Sequence, residues 1–327
     1  MKNVKKSVLL SLIKKFKGKK ILVVGDLMVD EYIWGNVSRI SPEAPIPVVE
    51  VKKEEAKPGG AANVILNLIS LGAKVYAAGV VGADANANKL KSYLKKDKVD
   101  LAAVITDNTR PTTIKTRVFA HHQQVVRIDK EKKLNLSGKM VEKILAQIEK
   151  IMPQLDAIIF SDYDKGVLTP ALVEGIIKVA KGKIITVDPK PANIKIFQNV
   201  TLIAPNKKEA AEGAGISIKT EADVLKAAHT LTKMTHAETI LITRGEEGMS
   251  LFEKGKLFHV PTVAREVYDV TGAGDTVISV VTLALTAGAA FKEASKLSNI
   301  AAGKVVAEVG VVTLTPNALA AAVNETE

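Results

Sequence analysis

Four short runs in the second half of the chain are apolar and rich in β-branched residues: Ala157-Ile-Ile-Phe160, Lys183-Ile-Ile-Thr-Val187, Thr201-Leu-Ile-Ala204 and Thr239-Ile-Leu-Ile-Thr243. Each is followed by a segment of helical character. A strand with one wet face alternates polar and apolar residues, whereas an unbroken apolar run suits a strand covered on both sides. Strands of this kind alternating with helices predict an α/β fold with a doubly wound, mostly parallel sheet between two helical layers. Lys20-Ile-Leu-Val-Val-Gly25 reads as a further buried parallel strand, Val75 to Val81 as another, and Asn86 to Leu94 as a helix.

At 327 residues and 47% apolar content the chain can bury a large core. No charge tract, low-complexity linker or internal repeat divides it, so residues 1–327 read as one unit. With no cysteine, disulfides, cysteine-ligated zinc and thiol catalysis are excluded, and a cytoplasmic home is expected. A net charge of +11 favours anionic partners, but at 4% aromatic content there is no stacking motif for nucleic acid, so phosphorylated small molecules fit better. Eight lysines in the first twenty residues interleave with Val4, Val8, Leu9, Leu12, Ile13 and Phe16 at helical spacing, which reads as a leading helix packed on the domain. It lacks the apolar core of a signal peptide, and no stretch reads as a membrane span.

Several strands end in polar groups. Asp26 and Asp30 follow the first, and Ser161-Asp162-Tyr163, Asp188-Pro-Lys190, Asn206-Lys-Lys-Glu209 and Thr243-Arg-Gly245 follow later ones. In open α/β sheets ligands sit outside the carboxyl ends of the strands, so a shared site is expected there. Two segments break the rhythm. Residues 31–52 carry three prolines in Ser41-Pro-Glu-Ala-Pro-Ile-Pro47, which forbid a helix, and residues 110–129 are strand-like and polar. Together they suggest a small sheet acting as a lid. Between them Lys57-Pro-Gly-Gly-Ala-Ala-Asn63 leads into an apolar helix closed by Gly72; Gly59 and Gly60 let backbone approach a ligand, and Asn63 offers a donor and an acceptor.

The turn Asp269-Val-Thr-Gly-Ala-Gly-Asp275 feeds an apolar run to Gly288. Free N–H groups at such a helix start, with Gly272, Ala273 and Gly274 keeping the turn small, can form an anion hole; equally, the turn can be structural, with Asp275 merely favouring the helix dipole. An aspartate at that position is expected to be strongly acidic and a weak base. No P-loop, dinucleotide G-x-G-x-x-G or G-x-S-x-G elbow occurs. His121-His122 reads as lid surface, because neighbours on a strand point to opposite faces. An anion hole, a carboxylate beside it, cations at strand ends and a lid are what phosphoryl transfer needs.

These residues resemble the signatures of the ribokinase-like carbohydrate kinases: Asp269-Val-Thr-Gly-Ala-Gly-Asp275, Gly59-Gly-Ala-Ala-Asn63 and Asn206-Lys-Lys-Glu209, in a match running from about Ile21 to Pro316. Gly25-Asp-Leu-Met-Val-Asp30, Ser38 to Val49, Arg110 to Arg117, Gln123-Gln124, Asp162-Tyr-Asp-Lys-Gly166 and Glu266 to Asp275 resemble the heptose 7-phosphate kinase branch of ADP-heptose biosynthesis. The resemblance implies a ribokinase-like fold, ATP, Mg²⁺ and a possible monovalent cation, and phosphorylation of the anomeric hydroxyl of a heptose 7-phosphate. Another sugar kinase or a non-catalytic sugar-phosphate sensor is the alternative. By position Asp275 would be the base and Gly272, Ala273 and Gly274 the anion hole, while Asp30, Gly59, Gly60 and Asn63 would hold sugar hydroxyls. Lys190, Asn206, Lys207, Lys208, Glu209, Thr243, Arg244, Gly245 and Asn299 would line the nucleotide, with Glu209 on the metal. Lys115, Arg117 and Gln124 are our choice for the 7-phosphate, because lid cations suit a dianion. Asp164, Pro191 and Val311 depart from the family pattern, which has a small residue, glycine and threonine there. The chain ends before the H-x-G-H motif of a nucleotidyltransferase domain, as expected of a stand-alone kinase or a piece of a longer one, and a homodimer through the lid edges is expected.

Overall fold

The computed structural model describes residues 4–121, 123–264, 267–308 and 310–326. Helix α1 (Lys6–Lys14) buries Leu9, Leu12 and Ile13, so the lysine-rich start turns its apolar stripe inward. In strand β1 (Lys20–Gly25), Ile21 and Val23 enter one core and Leu22 and Val24 the other. Successive strand side chains point to opposite faces, so the apolar run is what a sheet covered on both sides requires.

Only Asp26 separates β1 from the long strand β2 (Leu27–Ile40), which returns as β3 (Pro47–Gly60) and enters helix α2 (Ala61–Ser70) without a break. Strand β4 (Lys74–Val81), helix α3 (Ala85–Lys96) and strand β5 (Asp100–Thr106) rejoin the main body before β6 (Thr113–Ala120) and β7 (Gln123–Lys130) leave it again. There follow α4 (Gly138–Ile151), β8 (Ala157–Ser161), α5 (Pro170–Val179), β9 (Ile184–Asp188), β10 (Leu202–Ile203), α6 (Lys207–Ala214), α7 (Glu221–Thr235) and β11 (Thr239–Thr243). A hairpin of β12 (Met249–Glu253) and β13 (Lys256–Val260) leads to α8 (Ala273–Thr286), α9 (Phe291–Val305) and α10 (Pro316–Glu325).

The main sheet has nine strands in the order β13-β12-β11-β10-β9-β8-β1-β4-β5, parallel from β11 to β5 and antiparallel at the β12-β13 edge. Helices α1, α2, α3, α8, α9 and α10 bury residues in the core on one face, and α4, α5, α6 and α7 in the core on the other. The fold is therefore the α/β, doubly wound arrangement that the strand rhythm predicts. Since β1 lies between β4 and β8, the winding reverses there, and Gly25 pairs with Ser161 at the strands' carboxyl ends. That reversal opens the crevice in which such sheets bind ligands.

The second sheet, of order β3-β2-β6-β7, is the small sheet expected as a lid, with a wider first segment and a shifted second one. It takes in residues 27–60 and 113–130, so Asp30 lies within a paired strand instead of a loop, and Arg110 to Thr112 lie before the strand. The prolines of 42–47 sit around the hairpin turn, where a missing N–H costs no ladder bond. His121 occupies the exposed β6-β7 turn at φ 50° and not a strand; His122 and Glu266 lie outside the described residues. Among the described residues no helix is long and apolar enough to cross a membrane.

Asp26 fixes the junction between sheet and lid. Its buried carboxylate accepts the N–H groups of Tyr163 (2.9 Å), Lys165 (3.2 Å) and Val167 (3.3 Å), which shapes the loop after β8. Burial pushes its pKa up to about 6 against those bonds. Asp26→Ala would leave the three donors without a partner, a loss of about 2–4 kcal/mol. A melting temperature lowered by several degrees in calorimetry is the expected outcome; an unchanged one would show that water replaces the carboxylate.

Candidate active site

Helix α8 begins at Gly272, whose φ of +80° is one that a side chain disfavours, and carries Ala273, Gly274 and Asp275 in its first turn. The N–H groups of Gly274 and Asp275 have no hydrogen-bond partner among the described residues, so they remain free for an anion. From Asp275 to Leu285 every residue of α8 is buried. Its polar side chains are satisfied inside the protein: Thr276 donates to Asn67 (2.9 Å), Ser279 to the Asp275 carbonyl (2.7 Å), and Thr282 meets Thr186 (2.6 Å).

Asp275 itself is only 6% exposed. Asn63 Nδ2 donates to its Oδ2 (2.6 Å) and the Tyr163 hydroxyl to its Oδ1 (2.9 Å). Burial pushes its pKa up to about 6 despite these donors, and the carboxylate of Asp30 pushes in the same direction. This corrects the expectation of a strongly acidic group. A helix N-terminus is worth about 0.3–1 kcal/mol, and desolvation of a charge outweighs it. Asp275 is therefore a better base near neutrality than its place in the sequence implies.

Above it stands the lid. Asp30 on β2 forms a 2.6 Å ion pair with Arg117 on β6, both side chains largely buried. Gly59 leaves room for that carboxylate, since a Cβ there would lie 2.1 Å from Asp30 Oδ2. Gly60 is the cap of α2, and Asn63 stands in that helix's first turn with its Oδ1 unpartnered among the described residues. Lys115 pairs with Asp129 (3.0 Å) and Glu131 (3.3 Å), and Gln124 is exposed on β7, so of the three residues chosen for a phosphate Arg117 alone contacts Asp30. The same lid face carries a stack that sequence reading passed over: Tyr32 lies 5.7 Å from Trp34 and 6.4 Å from Phe119, with Arg117 over Tyr32 and Lys53 over Trp34. The signal was the i, i+2 spacing of Asp30, Tyr32 and Trp34, which puts all three on one face.

A cavity of about 160 Å³ joins Gly272, Gly274 and Asp275 to Lys190, Asn206, Glu209 and Thr243. Asn206 and Glu209 cap α6 reciprocally, each side chain accepting the other's backbone N–H at 2.9 Å. Glu209 also binds Lys190, which holds that ammonium charged against the cost of burial. Asn206 bridges to Thr243, so the ends of β10 and β11 meet at the cavity.

Other expected nucleotide residues stand outside its wall. Lys207 pairs with Glu247, Lys208 is 84% exposed, and Arg244, with Gly245 after it, is turned into ion pairs with Glu221 and Glu247. Asn299 on α9 donates to the Pro261 carbonyl at 2.7 Å and ties down the loop after β13.

Two polar wall residues were not assigned a role from the sequence, Tyr163 and Asp188. Burial raises the pKa of Asp188 well above the usual carboxylate range, and the negative charges of Asp275 and Glu209 add to it. Both side chains stand at strand ends marked as polar, and only packing shows that they turn inward. Of the departures, Asp164 has φ 57° and pairs with Lys133, Pro191 opens a short 3₁₀ turn to Ile196, and Val311 lies beside Gly272.

The family model for pfkB family carbohydrate kinases matches residues 18–318. Among curated proteins the chain is 49% identical over 302 residues to the bifunctional protein HldE of Desulfatibacillum aliphaticivorans, covering 91% of this chain and 62% of that protein. It is 44% identical to the bifunctional protein HldE of Helicobacter pylori strain J99, covering 94% of this chain and 67% of that one. The chain thus spans about three fifths of the length of the Desulfatibacillum relative. Among solved structures, Arabidopsis thaliana ribokinase complexed with ribose and ATP superposes with a TM-score of 0.74 at 18% identity, over 94% of this chain and 100% of that one. Escherichia coli phosphofructokinase-2 in complex with potassium gives 0.75 at 20%, over 94% and 98%. The fold is ribokinase-like, and the chain belongs to the pfkB family of carbohydrate kinases.

Proposed function

We propose that this chain transfers the γ-phosphoryl group of ATP to the anomeric hydroxyl of D-glycero-β-D-manno-heptose 7-phosphate, giving the 1,7-bisphosphate as an ADP-heptose precursor. The observation that carries the reading is the placement of Asp275, a buried carboxylate beside free N–H groups, opposite the Asp30–Arg117 pair of the lid. The heptose motifs of the lid and the similarity to the HldE proteins support the acceptor. Asp30 and Asn63 orient the sugar hydroxyls, and Arg117 supplies a cation toward the 7-phosphate. The anomeric oxygen attacks the γ-phosphorus as the bond to the bridging oxygen of ADP breaks, and its proton passes to Asp275. The Gly274 and Asp275 N–H groups face the charge on the transferred phosphoryl, and Lys190 adds a cation.

The carboxylates of Asp188 and Glu209 share the cavity with Asp275 and repel one another, so its donor set fits a hard cation. Among the described residues no group of three or more acidic or histidine side chains is placed to hold a metal ion by itself. Asp188 and Glu209 would hold it, and it would neutralise charge on the β- and γ-phosphates.

Incubation with ATP, Mg²⁺ and a panel of sugars and sugar phosphates is expected to give fastest ADP release with heptose 7-phosphate. Preference for ribose or a fructose phosphate would refute the acceptor. Asp275→Asn is expected to lower kcat by about 10²–10⁴-fold with the KM for ATP little changed. Because a base works ionised and the pKa of Asp275 is raised to about 6, kcat of the parent should fall as pH drops through about 6. A rate flat down to pH 5 would remove Asp275 from that role.

The lid also has an outer face. Val126 pairs with Val118 and Ile128 with Thr116, opposite in direction to Arg117, and these two valine and isoleucine side chains are 46% and 55% exposed. They lie on β7, an edge strand of the small sheet, and form an apolar edge suited to a two-fold partner, through which we propose that the enzyme is a homodimer. Sedimentation should show a dimer that Val126→Asp with Ile128→Asp converts to a folded monomer; a parent that sediments as a monomer at micromolar concentration would defeat the proposal.

A further inference from the structure

Each oxygen of the Asp275 carboxylate accepts one hydrogen bond from a different part of the protein. Asn63 on α2 takes Oδ2, and Tyr163 in the loop after β8 takes Oδ1. Two donors from separate elements stop the carboxylate from rotating about its Cβ–Cγ bond, and each oxygen keeps one lone pair. Tyr163 is held as firmly as the group it holds. Its backbone N–H donates to Asp26 at 2.9 Å, and Lys190 Nζ lies 5.7 Å from its ring centre. The hydroxyl has no other hydrogen-bond partner among the described residues, so its donation to Asp275 is what it does there.

We propose that Tyr163 is a positioning residue for phosphoryl transfer: its phenol O–H fixes the Asp275 carboxylate so that a free lone pair meets the acceptor hydroxyl. This rests on the kinase reading above and goes beyond it by giving a role to a residue that stands inside the Asp162-Tyr-Asp-Lys-Gly166 motif without an assigned function. A structural tyrosine would fill the same space with its ring alone. A positioning one also acts through its hydroxyl, in two ways. It orients the base, and it stabilises the charged form in a place where burial and Asp30 on β2 oppose charge. The other groups facing Asp275 are Asn63, which donates, Asp188 at the end of β9, and Lys190 just after it, whose charge favours ionisation.

Tyr163→Phe keeps the ring and removes the donor. With the parent's melting temperature and KM for ATP retained, the acid limb of the kcat–pH profile should move upward by about one pH unit. A reduced kcat should persist on the alkaline plateau, where Asp275 is ionised in both proteins and only orientation differs. The ¹³C-carboxyl titration of Asp275, assigned by its absence from Asp275→Asn, should move upward by the same amount in protein without substrates. That second measurement separates the two ideas: no turnover of any sugar phosphate by the parent would sink the kinase reading, while the titration still reports on Tyr163. If the Phe variant matches the parent in kcat, acid limb and carboxyl titration, or proves unable to fold and Tyr163→Leu, which also lacks a donor, folds and behaves as the parent, the hydroxyl has no positioning role.

Discussion

Carrying a carboxylate into the protein interior is the costly act around which this molecule is arranged. Asp275 sits in the first turn of a helix buried along its length, where water cannot solvate the charge. Its charge is made tolerable by donors that converge from distant parts of the sequence: Asn63, 212 residues away, and Tyr163, 112 away. Each donor must itself be held, which explains much of the surrounding construction. Asn63 is fixed by α2, which packs against α8 through Thr276–Asn67 and Ser279–Val64 contacts. Tyr163 is fixed by Asp26 at the end of the central strand. The compensation is partial, so the carboxylate remains readier to take a proton than one in water.

The lid obeys the same logic from the other side. With only Asp26 between β1 and β2, and no residue between β3 and α2, its two long strands are anchored rigidly in the core. That continuity puts Asp30 four residues beyond Asp26 in a ladder whose register with Lys57 and Lys115 is fixed. A one-residue slip would turn Asp30 to the outer face and bring Glu31 inward. The glycine at position 59 lets the carboxylate lie flat against the neighbouring strand, where Arg117 reaches it. Tyr32, Trp34 and Phe119 stack on one another beside the pair, and the cation of Arg117 lies over the Tyr32 ring.

What the sequence makes legible is whatever depends on local pattern. The apolar runs of β1, β8 and β11 and the glycine turn before α8 carry their structure in a few adjacent residues. Asn206-x-x-Glu209 does too, because a reciprocal cap fixes helix phase: Asn206 and Glu209 must face each other at the helix start. The same phase directs Lys207 and Lys208 elsewhere, so their place outside the cavity follows from a rule that the motif already contained. Asp188 and Tyr163 were legible only as members of polar strand ends. Nothing near them in sequence distinguishes a polar strand end that turns inward from one that turns to solvent. The acidity of Asp275 was misjudged likewise, since the dipole acting on it is local and the burial opposing it is assembled by α2, the sheet and the lid.

The chain's charge balance has to be read in the same position-dependent way. Its net charge of +11 suggests a basic binding surface, yet the cavity gathers Asp188, Glu209 and Asp275 against one ammonium, that of Lys190. Lysines such as Lys91, Lys95 and Lys96 lie on α3, whereas at the cavity Lys190 is bound to Glu209. Screening limits exposed charges to about 8–10 Å at physiological ionic strength, so distant lysines add attraction at long range and little at the reaction centre. A bare polyphosphate would meet net repulsion from these carboxylates. In the proposed reaction a nucleotide arriving with its own cation would bring the charge that the cavity lacks, and the free N–H groups of α8 would face the transferred phosphoryl group. On the proposed function the global excess and the local deficit are complementary: one draws anions toward the protein, and the other favours an anion that brings a cation with it.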